Sequence, residues 1–481
     1  MEEKTLTYQK RQTLKKEVGK TAFFCLAFGS MIGVGWVTAM GSWLNDAGPL
    51  GASFAFLIGG AMIFLIGLCY AEVMAMLPLT GGEVAYAYKA FGVQKSFIVG
   101  WFLAFGYLSV SAFEAISVGK VISYLIPEID FWPVYQIGEE VVFASHILLA
   151  FFFTLLITWF NYRGIQAATR FQVWLTIGIL IAVIFLIIVS VNRGSIENIQ
   201  PFFGTQNNSW KGFLAVLVTV PFWFVGFDTI PQSAEEANTS VSPKLLGRLI
   251  LISIAAASLF YVFLILSTSA VSPRENIIDA PLPTAAAYQN VFTSGWATNI
   301  VLVTALIGLL TSWNGFFLAC SRILFALGRG NIIHSSFGET HSKYGTPAKA
   351  VLFCGFITFI SVFAGRQAMT AFVDVGSFCM TIAFLGVSIS LLKLRNKFPN
   401  IHRPYRLKYG YTIARLSGLI TFSILTLMLI PGSPVALIWP MEWIILIAVV
   451  SAGIFFWYFG KPTRDNITKE ERDRQILEGF T

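Results

Sequence analysis

Twelve long apolar runs divide this chain, and they restrict it more than any other feature. They cover residues 21–45, 50–77, 96–126, 141–160, 170–191, 212–234, 246–271, 296–327, 348–365, 370–392, 411–430 and 440–459. A helix that crosses a bilayer needs about 20 mostly apolar residues. The runs are too long for barrel strands and lack their period-2 alternation. The expected fold is therefore an all-α integral membrane protein of twelve transmembrane helices. Composition agrees: 56% of the residues are hydrophobic and 12% charged, against roughly 25% charged in soluble domains. So few charges cannot cover a water-exposed surface, and lipid must be the main solvent. Secreted, cytosolic and nucleic-acid-binding classes are excluded despite the net charge of +8.

An even number of crossings puts both termini on one side. Of 33 Lys and Arg, 27 fall in the N-terminal tail or in and beside the segments after every second run. Only Arg193, Lys211, Arg274 and Arg366 fall on the other side. Cationic side chains are retained on the cytoplasmic face, so both termini are expected there, in the cell membrane. The domain reading is a cytoplasmic tail 1–20, one transporter domain 21–460, and a charged cytoplasmic tail 461–481 that is a short surface helix or disordered. Loops 127–140 and 272–295 are expected outside, with short helices. There is no cleavable signal peptide pattern. Cys25, Cys69, Cys320, Cys354 and Cys379 lie in apolar runs without metal-ligand spacing and read as reduced packing residues.

Two runs are interrupted about ten residues in. The first contains Gly29-Ser30-Met31-Ile32-Gly33-Val34-Gly35, and the sixth Pro221-Phe222-Trp223-Phe224-Val225-Gly226-Phe227-Asp228-Thr229-Ile230-Pro231. Each glycine weakens a helix by about 1 kcal/mol relative to Ala, and the prolines remove backbone hydrogen bonds. Close packing through small residues explains the first segment equally well. For Asp228, capping of the second half-helix competes with a gating role. Paired interruptions at matching positions point to an inverted-repeat transporter with its site at the bilayer midplane. Freed N–H groups suit a carboxylate and freed C=O groups suit an ammonium or a metal cation.

At these residues the chain resembles the amino acid–polyamine–organocation (APC) superfamily. The motifs are GSMIGVG, LPLTGGEVAYAYKAFG, GFDTIPQSAEE and TSWNGFFLACSRILFALGRGN, followed by HSKYGTP and HRPYRLKYG. The resemblance implies a LeuT-type five-plus-five inverted repeat, about 21–191 and 212–392, with discontinuous helices 1 and 6, two extra helices within 411–459, and alternating access. It places substrate contacts on Met31, Gly33, Val34 and Gly35, on Gly106, Tyr107 and Ser111, on Phe222, Val225 and Gly226, and on Phe316. Phe222 would close over substrate, and Asp228 would be the acidic residue of the cytoplasmic gate. Family members that bind an α-carboxylate often carry Ser where Val34 stands. Some proton-coupled members carry a Lys in span 5, where this chain has Thr176-Ile177-Gly178-Ile179.

Glu114 lies inside the third run, where a carboxylate costs about 2.5–3.5 kcal/mol and is functional by default. Tyr107, Ser111 and Glu114 share one helical stripe. Glu114 reads either as the partner of a substrate ammonium or a coupling-proton site, or as paired with Lys120 or Arg322, or as a carboxyl that simply sits protonated. Thr311 and Ser312 could supply oxygen ligands to a coupling ion; no other cofactor is implied, beyond coupling H+ or Na+. Arg322 is expected to snorkel or to meet Glu235 or Glu236 in a closed gate, and Glu72 to meet water or a basic loop. Asp374 reads as a first-turn dipole or cap residue, and Arg403-Pro404-Tyr405-Arg406 as a lipid-contacting patch. The leading function is a secondary transporter for a small amine-bearing solute, an amino acid or a biogenic amine or polyamine, working as monomer or homodimer. An amine-specific transporter is the alternative and a channel a remote one. An enzyme is not expected, because no nucleophile, base or metal set clusters.

Overall fold

The computed structural model describes residues 11–137, 140–204, 209–292, 295–365 and 367–480. The first ten residues of the N-terminal tail and Arg366 lie outside them. The chain is helical almost throughout. In order the helices are α1 Lys20–Met31, α2 Gly35–Thr38, α3 Met40–Met76, α4 Gly82–Phe91, α5 Val93–Leu125, α6 Ala144–Arg163, α7 Ile165–Arg193, α8 Ser209–Trp223 and α9 Thr229–Gln232. Then come α10 Pro243–Val271, α11 Pro283–Val291, α12 Trp296–Arg329, α13 Ala348–Ser361, α14 Gln367–Lys397, α15 Gly410–Leu429, α16 Met441–Phe459, α17 Lys461–Asp465 and α18 Lys469–Leu477. Among the described residues ten helical stretches are long and apolar enough to cross a membrane. Two shorter apolar helices, Trp210–Trp223 and Ala348–Ala364, join them.

Each of the twelve apolar runs falls on one or more of these helices. The corner between the first two runs lies inside α3. Gly48 adopts φ +72° there, a region closed to most side chains, and Pro49 restarts the helix without needing an N–H partner. The most buried spans are α12, α1 with α2, α5 and α14, whereas α15 and α16 are mainly exposed at the periphery. α3 packs along α10 and α8, and α5 along α12 and α14.

Three expectations need correction. Loop 127–140 carries one 3-10 turn, Pro127–Ile129, but also starts an antiparallel hairpin of β1 Pro133–Ile137 and β2 Glu140–Phe143. The C-terminal tail is docked: Arg472, Gln475, Ile476 and Leu477 of α18 are buried. Arg403 does not face lipid. It is buried with Arg395 around Glu72, which is itself fully buried. Arg395 donates to Glu72 at 2.8 and 2.6 Å, and Arg403 Nε lies 3.3 Å away. Thus Glu72 meets the basic loop and not water, because a buried charge needs paired charge around it.

Both described chain ends lie at one end of the bundle. Arg11 pairs with Glu478 at 3.1 Å, and Tyr88 donates to Asp473 of α18 at 2.6 Å.

Candidate functional site

The breaks sit where the glycines and prolines put them. α1 ends at Met31, and Ile32 turns out of the helix at φ −107°, ψ 81°. α8 ends at Trp223, and turns carry the chain through Phe224–Asp228 into α9. The two breaks touch. Gly226 has φ +127°, and a β-carbon there would lie 2.8 Å from Met31 N and from the carbonyl carbon of Ser30. Only glycine satisfies both the backbone angle and the approach. The Tyr261 hydroxyl of α10 donates to Met31 O at 2.9 Å and also reaches Trp223 O at 3.3 Å, tying the two ends together. The N–H groups of Gly33 and Val34 meet no backbone acceptor among the described residues. Helix-end donors of this kind are the usual seat of an anionic group.

A cavity of about 550 Å³ opens above the breaks. Its deep wall is formed by Ser30, Met31, Gly33, Val34 and Gly35 from the first break and Phe222 and Val225 from the second. Its mouth reaches Lys120, Tyr124, Pro281 and Ile438, at the end opposite the chain termini. Glu114 lies in this wall, 2% exposed. Its Oε1 accepts a hydrogen bond from Ser312, while Oε2 is buried without a partner. A β-carbon on Gly33 would sit 2.9 Å from Glu114 Oε1 and 3.2 Å from Ser312 Oγ. The first break, the carboxylate and α12 therefore meet at one point.

The structure brings together Met31, Gly33, Val34, Gly35, Glu114, Phe222, Val225, Ser312 and Phe316 around the cavity. It does not place Gly106, Tyr107, Ser111, Gly226, Asp228 or Thr311 in the lining. On α5 the lining residues are Val110, Phe113, Glu114, Ser117 and Val121, so Ser111 is turned about 100° off that face. Its hydroxyl bonds back to Tyr107 O at 3.1 Å. Gly106 instead packs against Met380 and Gly376 of α14. Tyr107 lies below the cavity, where its hydroxyl donates to Asp228 Oδ2 at 2.7 Å and its ring meets Phe316 at 5.6 Å. Asp228 makes no cap to α9. Its Oδ1 accepts from Gly226 N–H at 3.0 Å, so it braces the turn before itself. Thr311 donates to Gly308 O of its own helix at 2.7 Å and reaches Ile32 O at 3.4 Å.

Sequence reasoning missed Ser30, Trp223, Tyr261 and Asp374 as lining residues. Trp223 fills the space beside Gly35; its place next to the predicted Phe222 was the available signal. Asp374 is a cavity residue well inside α14, which begins at Gln367, and not a first-turn cap.

The end bearing the termini is sealed. Arg322 donates to Glu236 at 3.1 and 3.0 Å. Arg329 and Arg11 both grip Glu235 through paired bonds of 2.9 and 3.0 Å respectively. Burial raises the Glu235 carboxyl, but the Arg329 charge and then Arg11 outweigh it and hold it down at about 2. Of the two partners expected for Arg322 the structure gives it Glu236, while Glu235 is held by Arg329 and Arg11.

The chain, a helical membrane bundle with two helix breaks around one cavity, belongs to the amino acid permease family, whose model matches residues 20–458. This places it in the APC superfamily and makes it a transporter, not an enzyme. It is similar to the branched-chain amino acid permease of Bacillus subtilis, 26% identical over 82% of this chain and 84% of that one. The methylthioribose transporter of the same organism is 26% identical, covering 86% and 89%. The human Asc-type amino acid transporter 1 is 26% identical, covering 89% and 80%.

Proposed function

We propose that this protein is a secondary transporter that moves a small amino acid across the cytoplasmic membrane by alternating access. The observation that carries the reading is the cavity where both helix breaks meet Glu114, one of whose carboxylate oxygens has no partner. In this reading the free N–H groups of Gly33 and Val34 receive the substrate carboxylate. Glu114 faces its ammonium, or takes a coupling proton in its place. The Thr311 and Ser312 hydroxyls donate to Gly308 O and Glu114, which leaves their oxygen lone pairs as ligands for a sodium ion in the sodium-coupled version of this reading. Relatives named for amino acids favour this substrate class over an amine or polyamine. The full proposal includes twelve crossings, a five-plus-five inverted repeat and cytoplasmic termini, supported by the Lys and Arg distribution and by the two chain ends meeting. The cavity would then open to the outside while the gate toward the cytoplasm is shut.

The test is a thermal-shift panel of purified protein against amino acids, diamines and monoamines. A bound solute raises apparent stability by RT ln(1 + [L]/Kd). Shifts with amino acids that vanish in Glu114→Gln support the reading. Shifts confined to diamines would overturn it, and amino acid shifts unaffected by Glu114→Gln would exclude Glu114 as the partner of the ammonium.

A further inference from the structure

Below the cavity floor lies an acidic group outside the substrate site. Glu83 starts α4 and is fully buried. Its Oε2 accepts from the Gln232 amide of α9, and the same amide reaches the Tyr107 hydroxyl at 3.3 Å. Tyr107 in turn donates to Asp228, also fully buried. The Tyr70 hydroxyl of α3 also lies beside Glu83. Glu83 Oε1, the Tyr70 hydroxyl and Gln232 Oε1 are buried without hydrogen-bond partners. Two carboxyl groups are thus joined through one amide and one phenol.

Positive charge is absent from this cluster. Neither carboxyl forms a salt bridge among the described residues. The arginines around it are committed elsewhere: Arg322 to Glu236, Arg329 and Arg11 to Glu235, and Arg395 to Glu72. On the other elements packed against α4, Lys393 of α14 sits over the Phe91 ring and Asp473 of α18 takes the Tyr88 hydroxyl. On α4 itself, Tyr86 is buried nearby and Lys89 turns outward to Phe480 O. Two carboxylates cannot both ionise cheaply in a buried, cation-free cluster. Burial and then the Asp228 charge push the Glu83 carboxyl up to about 8.

We propose that Glu83 and Asp228 together hold a proton in the closed gate, and that this proton leaves as α9 moves away from α4 to open the end bearing the termini. α9 carries Gln232 and follows directly on Asp228, whereas Glu83 belongs to α4, so opening separates the two halves of the cluster. Water reaching each carboxyl then lets both ionise. This rests on alternating access, but not on which solute is carried, so the ligand panel above fails or succeeds independently.

The experiment has two readouts on purified protein. In difference titration against Glu83→Gln, the parent should release one additional proton with a midpoint near pH 8. In Asp228→Asn the midpoint should fall toward the ordinary carboxylate range, which keeps the test available if Glu83→Gln folds poorly. Thiol labelling of a cysteine placed at Ser233, buried under the gate, should accelerate as pH rises through that midpoint, and lose the step in Glu83→Gln. No additional proton, or an unchanged pH step in Glu83→Gln, overturns the proposal.

Discussion

Replacing Glu235 with Gln should unlock the sealed end of the bundle. Glu235 accepts two bonds from Arg329, two from Arg11 and one from Thr80 N–H at 3.2 Å. The Glu235 and Arg329 side chains are only 3% and 2% exposed. Removing one member of a buried ion pair costs roughly 3–5 kcal/mol, mostly because the other charge is left unpaired. Arg11 keeps Glu478 as a second partner, so about 3 kcal/mol is the fitting end of that range. At 1.4 kcal/mol per decade this raises the open-to-closed ratio about 100-fold. The assay is thiol labelling of Ser233→Cys, whose native hydroxyl makes no hydrogen bond. The five native cysteines are all buried and give little background. Glu235 gains its stabilising charge above the ordinary carboxylate range and loses it only as pH falls through about 2. The labelling ratio of variant to parent should therefore be the same at about pH 6 and about pH 8. A folded variant that labels as slowly as its parent would refute the assignment of Glu235 to the gate.

Two other substitutions separate the site from its scaffold. Gly226→Ala should abolish uptake in a cell-based assay, because a β-carbon meets the α1 backbone at a φ of +127°; retained uptake would mean the breaks are not in register as described. Glu72→Ala should lower stability by roughly 3–5 kcal/mol by stranding Arg395 and Arg403, seen as a lower melting temperature, while protein that remains folded keeps its ligand shift.

The helices and their breaks were legible because each has a local cause. Run length set the spans, the glycines ended α1, and Pro221 with Gly226 ended α8. Glu114 was legible because a lone carboxylate in an apolar run needs a reason. Facing was harder to read. One residue of helix is about 100°, enough to turn Ser111 off the face that holds Val110 and Glu114. Glu83 was hidden for a different reason. It stands in a motif beside a loop, where an acidic residue reads as solvated, and only tertiary packing under α9 buries it. Arg403 likewise looked like a surface cation until its partner Glu72, 331 positions earlier in the chain, was placed beside it.

The clasp between Arg11, Glu235 and Glu478 has a consequence for control of the machine. In the proposed alternating-access cycle, opening toward that face would require Arg11 to release Glu235 and Glu478. On that proposal, a partner that held Arg11 or Glu478 away from this clasp would bias the gate without contacting the cavity.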